Sequence, residues 1–280
     1  MVEIDLKLNE INVVRVAAWA KYGWLQHGFS SRAGGGSLAY SGNETRELNL
    51  GFTQEDSPLT VSSNREAFLR AVAGKDAGEM ATVRQVHGTI VKLVSFGERG
   101  LRTEDGRGIV EADGLMTADT GVMLAIQVAD CVPVLVADVK QRVVAAFHAG
   151  WRGTSAGIVE QGIMRMVTEL GCDPEDMVAA VGPSIRVCCY TVGDEVRSTF
   201  GGRFGYAEDL FSDREDGMHV DLAEANRRQL LGAGLQADAV TVLTECTACT
   251  RVNGRRKYFS HRAERGFTGR SMGLIGIVGE

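Results

Sequence analysis

The sequence predicts a single α/β domain over residues 1–280, with a mixed, largely antiparallel central β-sheet flanked by helices. Three observations predict it. Short apolar runs rich in β-branched residues recur along the chain, bounded by Gly, Pro or polar residues, as buried strands are. Between them lie four stretches whose apolar residues return at helical spacing. With 280 residues, 44% of them hydrophobic and 24% charged, the chain is long enough for a large core and ordinary for a globular protein.

The elements follow in order. Residues 11–16 and 24–29 read as strands, and they deliver Ser30, Ser31 and Arg32 into a Gly-rich stretch at 33–37. That stretch is either a surface hairpin or a loop whose backbone N–H groups face an anion, with Arg32 as a charged fork. His27 reads as structural. Residues 53–73 combine a turn with a helix that carries Val61, Phe68, Leu69 and Val72 on one face and offers Ser62 or Ser63 as a cap. Residues 81–87 alternate as a strand with His87 on the side of Val83, and 89–94 form another. Residues 95–110 are polar and Gly-rich, an exposed loop. Apolar runs at 122–128, 134–138 and 143–147 give three more strands. Residues 154–170 form the fullest helical stripe, with Thr154 or Ser155 as cap and Gly171 as stop. A strand at 177–181 and helices at 194–200 and 221–233 follow. Residues 203–218 read as a charged, mobile excursion, and strands at 239–243, 257–262 and 274–278 close the sheet.

Cys131 and His148 fall just past strand ends, where a sheet holds side chains at a fixed separation. With His87 they offer two imidazoles and a thiolate, the number of protein ligands a catalytic zinc uses while keeping a fourth position open. The three are far apart in sequence and match no local metal motif, so core packing stands as the alternative. Asp113 is a candidate for holding a ligand histidine, or else caps an Asx turn before Gly114. A helix N-terminus beside His148 and Arg152 is a natural place for phosphate.

These residues sit in recognisable words. Gln85-Val86-His87-Gly88, Ala129-Asp130-Cys131-Val132-Pro133 and His148-Ala149-Gly150-Trp151-Arg152-Gly153 are joined by Ser31-Arg32-Ala33-Gly34-Gly35 and Leu48-Asn49-Leu50-Gly51. Gly182-Pro183-Ser184-Ile185, Phe259-Ser260-His261-Arg262 and Thr268-Gly269-Arg270 continue the series. In this order, from about Gly28 to Gly276, they resemble the laccase-domain family. It is also called the multicopper polyphenol oxidase, purine nucleoside phosphorylase-like or peptidoglycan editing factor family.

The resemblance implies a CNF1/YfiH-like architecture and supports the mixed, largely antiparallel sheet more than periodicity does. It implies one metal on His87, Cys131 and His148, usually Zn2+ with Cu2+ as the other tenant. It puts the loop of Ser31 and Arg32, and Asn49, beside the family's pocket; with Arg152 these are the candidate substrate contacts, and Cys131, His148 and Asp130 are the candidate catalytic residues, Asp113 being the other candidate acid. The activity implied is phosphorolysis of adenosine, inosine and methylthioadenosine, with adenosine deamination, so purine nucleosides and phosphate are the partners. Some bacterial members are instead assigned to removing a wrongly inserted serine from peptidoglycan precursors. A single three-ligand site suits the oxidase label poorly. The chain departs from the family pattern at Gln54-Glu55-Asp56, a loose match to its acidic pair, and at Thr191, where Glu is common.

Two other readings stay open. Cys131 as a nucleophile, with His148 as base and Asp130 or Asn49 as orienter, gives a Cys/His hydrolase or amidase. A non-catalytic nucleoside-binding metalloprotein is the other. The zinc nucleobase deaminases carry an H-x-E…P-C-x-x-C pattern that this chain lacks. Cys246 and Cys249, with Cys188 and Cys189, read as buried small residues, a redox pair or a four-thiolate zinc site. The net charge of −6 argues against a dedicated nucleic-acid binder, though an acidic protein can still build a basic pocket. No stretch has the apolar length of a membrane span, and the start lacks a secretory pattern, so a cytoplasmic monomer or weak homo-oligomer is expected.

Overall fold

The computed structural model describes residues 11–41, 45–75, 77–98 and 100–279. Strands β1 (Val13–Val14), β2 (Leu25–Ser30) and β3 (Ala33–Ser37) open it, followed by helix α1 (Pro58–Ala73). Next come β4 (Glu79–Ala81), β5 (Val91–Leu93), β6 (Gly114–Thr117), β7 (Val122–Val128), β8 (Val132–Asp138) and β9 (Val143–Ala149). Helices α2 (Trp151–Ser155) and α3 (Ile158–Leu170) lead to β10 (Met177–Val181) and α4 (Asp194–Gly201). The hairpin β11 (Phe211–Arg214) and β12 (Gly217–Val220), helix α5 (Leu222–Gly232) and β13 (Val240–Val242) follow. A ribbon of β14 (Arg251–Val252) and β15 (Arg255–Arg256) precedes the last strand, β16 (Ser271–Ile277).

Two mixed sheets result, with strand orders β1-β2-β16-β7-β4 and β13-β10-β8-β9-β6-β5. Most pairs are antiparallel; β4–β7, β5–β6 and β10–β13 are parallel. Alternation along the strands decides what each face meets. Leu124 and Ile126 of β7 and Ile275 of β16 pack against Leu135 of β8 and Val144 and Ala146 of β9, joining the sheets. The opposite faces are covered too. Met123, Ala125 and Leu274 lie under Phe68 and Val72 of α1, while Val134, Val136, Ala145 and Phe147 lie under Ile158, Ile163 and Met166 of α3 and Leu230 of α5. Strands buried on both faces read as unbroken apolar runs, which is why 122–128 and 143–147 stand out in the sequence.

The expected α/β class and mixed sheet are present, but the sheet is two packed sheets between helical layers. Several element boundaries differ for local reasons. Residues 81–87 do not continue as a strand: pairing with β7 stops at Ala81, and His87 takes a left-handed φ of 62°. The stretch 33–37 is β3, seated against α1 by Gly36 N–H donating to Asn64 Oδ1 (2.7 Å), so it is not a free anion loop. Helix α1 begins with Pro58 in its first turn after Ser57, which leaves Ser62 and Ser63 inside it. Residues 154–170 are two helices, because Gly157 adopts φ 77° between them. Residues 257–262 are a turn, and 203–218 holds a short helical turn and the β11–β12 hairpin, with Phe204, Ala207 and Leu210 in the core. Within 95–110, Leu101 is buried.

Candidate functional site

Three chain segments meet at one end of the two sheets. His148 is the penultimate residue of β9, inside the strand rather than past it, and continues the Val144–Ala146 row facing the other sheet. Cys131 immediately precedes β8, and register pairs Pro133 with His148. His87 comes from the turn after the Arg84–Glu111 bridge. The donor atoms of His87, Cys131 and His148 all lie within 4.8 Å of one another. Cys131 Sγ is 3.8 Å from His87 Nε2, and the two imidazole rings stand edge to face at 4.8 Å. Gly150 makes this approach possible: a Cβ there would sit 2.9 Å from the His87 ring and 3.1 Å from Cys131 Sγ.

Asp113 organises the group. Its carboxylate takes the His148 Nδ1 hydrogen bond at 2.8 Å and accepts the backbone N–H groups of Val86, His87 and Gly88 at 3.2, 2.9 and 2.7 Å. One buried carboxylate thus fixes the ring of one histidine, with Nε2 turned to Cys131, and the loop carrying the other. Those bonds outweigh burial and hold Asp113 below the usual carboxylate range. Burial would raise the Cys131 thiol, but the facing His148, with His87, lowers it. Burial would likewise lower His148, but Cys131 and Asp113 raise it. The opposite shifts favour negative charge on the Cys131 sulfur and positive charge beside it, an arrangement that also suits a bound cation.

The donor set fits zinc. Two donors on one tetrahedral zinc, one S and one N, stand about 3.6 Å apart, close to the separation seen. The residue beside the buried Asp113 carboxylate has its tautomer fixed, as metal-bound imidazoles require. His148 is buried, Cys131 half-buried and His87 exposed, so the group opens on one side. That side is a cavity of about 840 Å³. Arg65, Arg84, Arg107, Arg152, Arg262 and Arg270 line it against one carboxylate, Asp130, and Phe52, Trp151 and Tyr190 supply aromatic walls.

The remaining expected residues fall differently. Arg152 lines the cavity and stacks on Trp151 at 4.4 Å. Asp130, at a left-handed φ of 91°, has its oxygens taken by Thr247 Oγ1 (2.6 Å), Ser260 Oγ (2.7 Å) and Arg262 N–H (2.6 Å). Ser31, Arg32 and Asn49 do not line the cavity. The Arg32 guanidinium is held by Glu47 (2.6 Å), Glu264 (2.5 Å) and the Tyr40 carbonyl (3.0 Å). Asn49 is fully buried and accepts the Arg270 N–H at 2.9 Å, so it reaches the cavity only through Arg270. Ser31 is buried, its hydroxyl accepting the Ala33 N–H at 3.3 Å. Neither Asp130 nor Asn49 orients His148; Asp113 does. Sequence reading missed Tyr190, Arg84 and the Gln85–Gln127 pair, whose amide and backbone bonds at 2.7 Å tie the His87 loop to β7. Only Gln85, two residues before His87 in the same word, carried a signal.

Comparison with known proteins places the chain among relatives. The profile of the multi-copper polyphenol oxidoreductase laccase family matches residues 26–278. A purine nucleoside phosphorylase of Deinococcus radiodurans is 38% identical over 254 residues, 90% of this chain and 89% of that protein. Adenosine deaminase RL5, from an unknown prokaryotic organism, is 32% identical over 242 residues, 84% and 88% of the two chains. The crystal structure of the hypothetical protein YfiH of Bacillus licheniformis superposes with a TM-score of 0.83 at 30% identity, covering 97% of this chain and 98% of that one.

Proposed function

Since this chain belongs to the multi-copper polyphenol oxidoreductase laccase family, we propose that it is a zinc-dependent purine nucleoside phosphorylase that also deaminates adenosine. One observation carries the reading: a three-donor cluster at the floor of a cavity rimmed by six arginines and walled by aromatic rings. Arginine forks suit phosphate, and flat aromatic faces suit a purine. The relatives' names point to the same substrates.

His87, Cys131 and His148 would hold the ion, which supplies a Lewis acid to an oxygen of the bound substrate. Asp113 keeps His148 Nε2 and the His87 loop aimed at it. Arg152, whose guanidinium makes no ion pair among the described residues, is the cation best placed to orient phosphate for attack at the ribose C1′. Asp130 acts as a positioning group, since its oxygens already accept three hydrogen bonds. The arrangement also fits a cytoplasmic protein, because all six cysteines are free and thiols persist in a reducing compartment. No helix among the described residues is long and apolar enough to cross a membrane.

The test is incubation of the purified chain with inosine, adenosine or methylthioadenosine, with and without phosphate. Free purine base that appears only with phosphate, and ammonia from adenosine, are expected; no base released from any of the three overturns the reading. A second reading rests on the Cys131–His148–Asp113 row, which has the order of a nucleophile, base and orienter. Amidase activity on peptidoglycan precursors that survives complete zinc removal would select it.

A further inference from the structure

We propose that Cys188, Cys189, Cys246 and Cys249 form a second metal site, a four-thiolate seat for one tetrahedral zinc ion. It is distinct from the His87–Cys131–His148 group. The four sulfurs all lie within 4.8 Å of one another, and Cys188 Sγ is 3.7 Å from Cys249 Sγ. Four sulfurs at about 2.3 Å from one zinc stand about 3.8 Å apart along each edge of the tetrahedron. A disulfide would require about 2.05 Å, and all four thiols are free. The spacing is that of a single ion's coordination shell.

The backbone is shaped for it. The two pairs sit on facing turns joined by the Ser184–Cys246 bridge. Cys189 N–H donates to the Arg186 carbonyl, and Thr250 N–H to that of Cys246, closing each turn at 2.8 and 3.0 Å. Arg186 N–H points at Cys246 Sγ (3.4 Å), the contact a thiolate sulfur accepts. Cys246 is buried, Cys189 half-buried, and Cys188 and Cys249 are exposed, so an ion can enter from solvent.

Charge supplies an independent observation. Zinc with four thiolates carries a net charge of −2. Beside the cluster lies Arg186, whose Nε and Nη2 are buried without a hydrogen-bond partner, and which feels the charge of Asp221 and then of Cys246 and Cys188. Buried N–H groups without acceptors are costly, and a dianionic centre next to them would add to the counter-charge that Asp221 supplies. Thr247 lies within the Cys246–Cys249 turn and donates to Asp130, while Tyr190 follows Cys189 and lines the cavity. The ion would staple together the two loops that hold Asp130 and one cavity wall, a positioning role.

The experiment uses the full chain purified in reductant, with zinc counted against protein by mass spectrometry. Two equivalents are expected for the wild type, and one for the His87→Ala/His148→Ala double variant. Zinc X-ray absorption on that variant should show a shell of four sulfurs at about 2.3 Å. Cys246→Ser/Cys249→Ser should lose the other equivalent while retaining the first. The double histidine variant keeps all four thiols, so it decides the matter even where cysteine variants fail to fold. A folded double histidine variant without zinc, a shell containing nitrogen or oxygen, or disulfides among these four cysteines in the reductant-purified chain overturns the proposal.

Discussion

Asp113 concentrates more of the candidate site than any ligand does, because four hydrogen bonds from two segments end on it. Asp113→Ala should weaken zinc binding by about 10–100-fold, as loss of a ligand's supporting carboxylate does. It should also lower stability by about 2–4 kcal/mol through the orphaned N–H groups; chelator competition and a denaturant melt read the two effects separately. Asp130→Ala removes the acceptor of two hydroxyls and one N–H, so a loss of about 2–3 kcal/mol is expected while zinc still binds. His27 gives a pH signature away from the site. Its Nε2 accepts the Val16 N–H at 2.9 Å, and burial, helped by Arg15, lowers it from 6.5 to about 4. Between those values the unfolded chain binds more protons, so stability rises with pH across that window. It is complete above about 6.5 and falls by about 2–3 kcal/mol toward pH 4. Unfolding free energies from pH 4 to 7 for wild type and His27→Gln check this, since the variant should lose the slope.

At the scale of elements, β9 and the helices after it deliver His148 and Arg152. Gly162 on α3 faces Phe147, the residue before His148, and a Cβ there would overlap the phenyl ring. Gly162→Ala should cost about 1–3 kcal/mol by overpacking, and by pushing on β9 it should lower zinc affinity as well. Stability lost without any change in zinc affinity would show that β9 holds its ligand independently of α3. The break at Gly157 belongs to the same scale. The apolar stripe runs through it unaltered, but a left-handed φ at Gly157 turns α2 out of line with α3 and leaves Arg152 at the cavity.

For the whole molecule, the three candidate ligands come from the β8–β9 hairpin and from the separate His87 turn, so zinc at this site would be worth most to the assembled fold. At a hundred times its dissociation constant such a ligand adds about 2.7 kcal/mol. Removing zinc with a chelator should lower Tm by about 5–10 °C for a chain of this size, and added zinc should restore it; an unchanged midpoint would show that the cluster folds and holds without metal.

Residue type and order were enough for the α/β class and the apolar strands at the centre, and they singled out His87, Cys131 and His148, which the fold brings together. Buried strands and ligand side chains are written in residue type and order. Only the tertiary structure decided that there are two sheets, since a run buried on both faces looks the same whether helices or another sheet cover it. It alone showed that Ser31, Arg32 and Asn49 stand outside the cavity, because partners such as Glu47 and Glu264 arrive from distant segments. It also chose among readings the residues had left open, making Asp113 the support of His148 and bringing four cysteines from two loops together, because such contacts depend on chain crossings that no spacing encodes.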